Sequence, residues 1–152
     1  MNRRIASFLL LLICLPALSA ATASEGMIVT QSPFGPGETM DRLQAVVEDR
    51  ELTVFARIDH AAGAERIGET LRPTELLIFG NPRGGTPFMQ CAQSVGIDLP
   101  LKALVWQDAE DRVWLGYNNP VFLAERHGVP DCPVAPNLAN ALDNLVTSAL
   151  GD

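Results

Sequence analysis

The chain has 152 residues, with 11 basic side chains against 18 acidic ones and a net charge of −7. At 47% hydrophobic and 19% charged it is too apolar for intrinsic disorder, and its length suits one domain better than two. The acidic balance argues against nucleic-acid binding, which needs Lys and Arg to neutralise phosphates, and three Cys are too few for a disulfide scaffold.

Residues 1–23 read as a secretory signal. Arg3 and Arg4 make a basic start, residues 5–15 are almost wholly apolar, and Pro16 breaks the run. Ala21-Thr22-Ala23 fits a small-residue cleavage site. The run is too short to cross a hydrocarbon layer of ~30 Å as a helix, which disfavours a retained anchor. Leu12 and Ile13 stand before Cys14 where a lipidated Cys has small residues. Cleavage would leave 24–152 as a single domain with no membrane span. It would also take the basic residues from 11 to 9 against 18 acidic ones, a net −9, and leave Cys91 and Cys132. The expected location is the periplasm or the exterior, where disulfides form.

Residues 27–32 read as a short strand, followed by a turn at Pro33, Gly35, Pro36 and Gly37. Residues 38–50 carry Met40, Leu43, Val46 and Val47 at helical spacing. Residues 52–60 are rich in β-formers and read as a second strand. The Ala-rich stretch 61–69 reads as a short helix that Pro73 stops. Residues 75–80 (ELLIFG) are a continuous apolar run, the pattern of a strand buried on both sides. Thr86 before Pro87 reads as a hydroxyl cap with Pro at the first helical position, opening a helix to Val95 that Gly96 ends.

Residues 101–107 and 112–118 are strands on either side of Asp108-Ala109-Glu110-Asp111, a strong hairpin signal. Residues 120–127 could form a short helix, and 128–136 are a Pro-rich loop. Leu138, Leu142, Leu145 and Ala149 then mark an amphipathic helix over 137–150, with Gly151 just past its end. The main elements run β-α-β-α-β-α-β-β-α. The expected fold is α+β: one mixed or antiparallel sheet of about five strands with helices on one face. The expected core is Leu76, Leu77, Ile78, Phe79, Val105, Val113, Leu115, Leu142 and Leu145.

The most distinctive stretch is Phe79-Gly80-Asn81-Pro82-Arg83-Gly84-Gly85-Thr86-Pro87, where a strand end, a Gly-rich turn and a helix start meet. Free N–H groups at residues 86–89, with Arg83 beside them, would favour an anion. A tight turn with no ligand is the plainer reading. Because imidazole in general changes charge near neutral pH, His60 could act as ligand or acid/base, or it could simply cap the next helix. His127 suits the C-terminus of a helix as a structural cation. Met89 and Cys91 are soft donors, but two apart on a helix they do not face each other. Cys91 and Cys132 could pair, which would stabilise by ~3–4 kcal/mol, or either could stay free. Ser-His-Asp catalysis has no support, because there is no G-x-S-x-G turn. Trp106 and Trp114 could stack across the hairpin, and Tyr117 lies on it too.

The segments Ile58-Asp59-His60-Ala61-Ala62, Leu71 to Pro82 with its Phe-Gly-Asn-Pro end, and Gly85-Thr86-Pro87-Phe88-Met89 resemble the domain of unknown function family 302 (DUF 302). So do Asp98-Leu99-Pro100-Leu101-Lys102, Trp114, Tyr117-Asn118-Asn119-Pro120 and Leu123-Ala124-Glu125-Arg126-His127. The resemblance covers most of 27–127 and implies a compact α+β domain that forms homodimers, with no settled activity. It marks His60, Pro73, Phe79, Gly80, Asn81, Pro82, Gly85, Thr86, Met89, Leu99, Pro100, Tyr117 and Asn118 as recurrent positions. Arg50-Glu51 departs from it where a Gly after the first helix is usual, so that helix is expected to end differently. Cys91 is a second departure.

The function that fits these features is a non-catalytic ligand-binding or interaction module. Its candidate ligand residues are His60, Asn81, Arg83, Gly85, Thr86, Met89, Tyr117 and Asn118, for a small anionic or polar ligand. One alternative is a small enzyme with His60 as acid/base and Asn81, Thr86 and Tyr117 around it. Another is soft-metal binding of copper type through His60, Met89 and Cys91. No cofactor is expected.

Overall fold

The computed structural model describes residues 24–151. The expected signal segment, its cleavage site and Cys14 lie outside the described residues. The elements are β1 (Met27–Ser32), α1 (Pro36–Asp49), β2 (Thr53–Asp59), α2 (His60–Glu65), β3 (Thr74–Gly80) and α3 (Pro82–Cys91). A 3-10 helix (Gln93–Ile97), β4 (Leu101–Gln107), β5 (Val113–Asn118), α4 (Pro120–Arg126) and α5 (Val134–Leu150) follow. The short helix at 120–126, absent from the main expected order, forms because Asn119 caps Val121 N–H and Pro120 supplies a preset φ.

The five strands form one sheet in the order β1-β5-β4-β3-β2, with every neighbouring pair antiparallel. The α+β expectation holds. The hairpin register sets Trp106 directly opposite Trp114. Along β3, β4 and β5 burial alternates, as period-two side chains on a one-sided sheet require. The inner face carries Leu77, Phe79, Ala103, Val105, Val113, Leu115 and Tyr117, all buried against α1 and α5. Met40, Leu43 and Val47 of α1 and Leu142, Leu145 and Val146 of α5 close that core.

The outer face corrects the expectation for residues 75–80. Leu76 and Ile78 are only half-buried, as are Val29, Leu104, Trp106 and Trp114 on the same side. An unbroken apolar run therefore marks here a strand with one face on the core and an apolar second face. Gly116 belongs to that face for a packing reason: a Cβ there would stand 3.0 Å from the Trp106 ring and 2.5 Å from Met27 Cε.

The end of α1 also differs from expectation. Glu51 adopts φ 56°, the left-handed conformation usually given to Gly. Leu52 N–H reaches back to Val47 C=O at 3.1 Å, closing the helix as a Gly-ended one closes. The residue departs from the family resemblance, yet Glu51 takes the left-handed conformation a Gly would take.

Candidate functional site

The Phe79-to-Pro87 stretch lies where expected, but its helix begins four residues earlier. Asn81 is the cap and Pro82 the first helical residue, leaving Thr86 and Pro87 inside α3. Asn81 Oδ1 accepts from Gly84 N–H at 3.1 Å, and Asn81 C=O accepts from Gly85 N–H at 3.2 Å. The amides expected to receive an anion at 86–89 are thus interior to the helix, and two of those at its start are taken by Asn81. Both Thr-Pro and Asn-Pro fit a start signal, and Asn81 wins because its backbone is extended as a cap requires. Pro87 lies inside α3, which ends at Cys91, short of the expected Gly96, where Ala92 turns to an extended conformation.

Gly84 serves a close approach, and Gly85 makes an ordinary contact. A Cβ on Gly84 would stand 3.1 Å from Leu138 Cδ2 of α5, and one on Gly85 would stand 3.5 Å from Leu99 Cδ1. Between these elements lies a cavity of about 380 Å³, inside the ~300–1,000 Å³ range of small-molecule sites. Asn81, Gly85, Thr86 and Met89 line it from the α3 side, and Gly96, Leu99 and Pro100 from the next segment. Leu138, Ala141, Leu142 and Leu145 line it from α5. No charged side chain contributes, and Asn81 and Thr86 are its polar side chains.

Phe55 also lines the cavity while 56% exposed, which puts it at the mouth. The pairing of β2 with β3 slips between Val54 and Ala56, so Phe55 is the extra residue of a bulge. Bulges re-aim side chains in this way. A bulge has no mark in a sequence read by period two, so Phe55 was not legible there.

The remaining candidates do not converge on the cavity. His60 opens α2 at the Glu75 end of the β2–β3 pair, whereas Asn81 follows Gly80 at the Thr53 end. The length of the strand, roughly 20 Å, separates them. Asp59, not His60, caps α2, accepting from Ala62 N–H at 2.9 Å. Arg83, Tyr117 and Asn118 are not among the lining residues. Tyr117 is buried in the core under α1 and α5, and burial, then the charge of Asp143, pushes its phenol up. The enzyme constellation around His60 is therefore not assembled. Nor is the soft-metal set: Met89 lines the cavity, His60 is remote, and Cys91 is disulfide-bonded to Cys132 with Cα atoms 6.0 Å apart.

His127 follows α4 as its cap, at the helix C-terminus as expected. It also joins Ser94 and Asp98 in a hydrogen-bonded chain that no sequence spacing announced, since its partners lie 33 and 29 residues away. Ser94 lies on the 3-10 helix, Asp98 at its end and His127 at the end of α4.

A family model described as "Domain of unknown function DUF302" matches residues 28–145. A crystal structure of an uncharacterised DUF302 protein from Bacillus stearothermophilus superposes with a TM-score of 0.75 at 19% identity, covering 83% of this chain and 99% of that one. Proteins named "Fluoride-specific ion channel FluC 1" from Brucella suis biovar 1 and Brucella abortus biovar 1 are 43% identical over 110 residues. The match covers 72% of this chain but 43% and 41% of those proteins, so the chain spans less than half their length. No helix among the described residues is long and apolar enough to cross a membrane. With a matching model over most of its length and the same fold in a solved member, the chain belongs to the DUF302 family.

Proposed function

We propose that the chain is an exported ligand-binding module whose cavity takes a small apolar or amphipathic molecule. The cavity carries this reading: its wall is almost wholly aliphatic, with two neutral polar side chains for orientation. The small anion expected from the Gly-rich turn suits it poorly, because Asn81 already occupies two helix-start amides and Arg83 is outside the lining. Fluoride, which enters through the names of the Brucella relatives, suits it poorly for the same reason. Export to an oxidising compartment, with residues 24–152 as the mature domain, is supported by the signal-like first 23 residues and agrees with the Cys91–Cys132 bond. A homodimer finds its support in the half-buried apolar outer face around Trp106 and Trp114; sedimentation velocity checks it.

Titration calorimetry with octanoate, decanoate and decanol tests the ligand. Ala141 is exposed on α5 and lines the cavity, so Ala141→Trp fills it from the solvent side without disturbing the core. The expected outcome is binding by the native chain and at least a tenfold loss in Ala141→Trp, about 1.4 kcal/mol. Equal affinity in both would discard the cavity as the site.

A further inference from the structure

Ser94 Oγ lies 2.9 Å from His127 Nδ1, and His127 Nε2 lies 2.7 Å from Asp98 Oδ2. The other Asp98 oxygen faces Arg126 Nη1 at 3.2 Å. An ionised carboxylate only accepts, so Asp98 sets the proton of a neutral imidazole on Nε2. The lone pair on Nδ1 then faces the Ser94 hydroxyl, which donates to it. That is the polarity an activated nucleophile needs: hydroxyl to base, and base to an orienting carboxylate. The ring nitrogens are exchanged relative to the usual serine-protease arrangement, but the donor and acceptor order is the same.

Exposure divides the roles. The side chains of His127 and Asp98 are 9% and 12% exposed, so the imidazole is held. Ser94 is exposed, so its hydroxyl is open to a substrate. Ile97 follows three residues later on the same 3-10 helix, where side chains three apart eclipse. It is 76% exposed and sets an apolar surface beside the hydroxyl.

We propose that Ser94, His127 and Asp98 form an acyl-transfer site that hydrolyses carboxylic esters with an apolar acyl group. Ser94 Oγ bonds to the ester carbonyl carbon while its proton passes to His127 Nδ1. The bond from that carbon to the alcohol oxygen breaks, and His127 returns the proton to the departing alcohol. Water then attacks the acyl-Ser94 ester by the same proton path, which releases the carboxylic acid and restores the hydroxyl. Nothing is oxidised or reduced. Ser94 and His127 are the catalytic residues; Asp98 is a positioning residue. The site is separate from the cavity, so it stands or falls independently of the ligand-binding reading.

The test is labelling of the purified chain with a fluorophosphonate, mapped by mass spectrometry, alongside hydrolysis of p-nitrophenyl butyrate. The expected result is an adduct on Ser94 and turnover above background. Ser94→Ala removes both and leaves decanoate binding unchanged. Because Ser94 is exposed, this variant folds and decides the matter even where His127→Gln does not. Folded His127→Gln labels ~10²–10⁴-fold more slowly, the usual worth of a general base. Asp98→Asn slows labelling without unfolding the chain, and Asp98→Glu, which keeps the carboxylate, restores part of the rate; a purely structural Asp98 would give no such rescue. No adduct on Ser94, turnover that persists in Ser94→Ala, or labelling undiminished in His127→Gln overturns the proposal.

Discussion

The 3-10 helix Gln93–Ile97 divides two unlike regions. Its Gly96 faces the aliphatic cavity, while its Ser94 joins the polar chain through His127 to Asp98. The cavity is assembled from many side chains whose individual identities matter little, since apolar residues of similar volume substitute at small cost. The polar chain depends on three residues and two hydrogen bonds, where losing one atom leaves its partner unsatisfied. One region is therefore defined by shape and the other by atoms, and substitutions should separate them.

The largest effect belongs to the covalent tie next to both. Cys91 ends α3, a cavity wall, and Cys132 lies before α5, the opposite wall. Replacing both Cys with Ser opens a loop of 41 residues and should cost about 4 kcal/mol in urea unfolding on loop entropy. Loss of decanoate affinity should accompany it, since both walls are then less restrained. An unfolding midpoint unmoved by reductant would mean that the bond does not form in the protein.

A smaller effect separates capping from ligand contact at Asn81. Asn81→Ala removes the acceptor for Gly84 N–H and should cost ~1 kcal/mol. Asp caps as well as Asn, so Asn81→Asp should retain stability. It also sets a carboxylate in an apolar lining, where an unpaired charge is costly, so decanoate affinity should fall. If both variants lose stability alike and bind alike, Asn81 has no separate role at the cavity.

Much of the fold was legible because strand and helix periods are local. The hairpin about 108–111 lies at nearly its expected bounds, and the stripe Leu138, Leu142, Leu145 and Ala149 marks α5, which begins at Val134, three residues inside the expected Pro-rich loop. What failed needed information from elsewhere in the chain. Leu76 and Ile78 look like core in an apolar run, and their place on the sheet's outer face among the described residues leaves them half-buried. Asn81, Gly85, Thr86 and Met89 stand out in the sequence as part of a Gly-rich strand-end turn, as a soft donor and as positions that the family resemblance marks. They line the site for another reason, the close packing of α3 on α5 across Gly84. His60 and Asn81 looked like neighbours because each follows a strand, but antiparallel pairing sends those two strand ends apart. The Ser94–His127–Asp98 chain joins a 3-10 helix to the end of α4, a contact set by tertiary packing alone.

A second carboxylate sharpens the contrast with Asp98, because it is held by donors with no imidazole present. Asp108 closes the β4–β5 hairpin. Its carboxylate accepts from Trp114 Nε1 at 2.8 Å, from Arg112 N–H at 2.9 Å and Nε at 2.8 Å, and from Glu110 N–H at 3.0 Å. Burial alone pushes its acidity down, but hydrogen bonds from Trp114, Arg112 and Glu110 prevail and hold its pKa at about 2, below the ordinary 3.8. The folded value is the lower one, so the stabilisation is complete above pH ~4 and is lost as the pH falls through about 2. Urea unfolding between these limits should show stability declining with acid, and the decline should be shallower in Asp108→Asn, which cannot titrate. Above pH ~5 the variant should still be the weaker protein, because an amide at that position cannot accept four hydrogen bonds as a carboxylate does. An unchanged acid slope would place the titrating group elsewhere. A neutral-pH loss with no change in slope would mean that Asp108 acts through hairpin geometry rather than through charge.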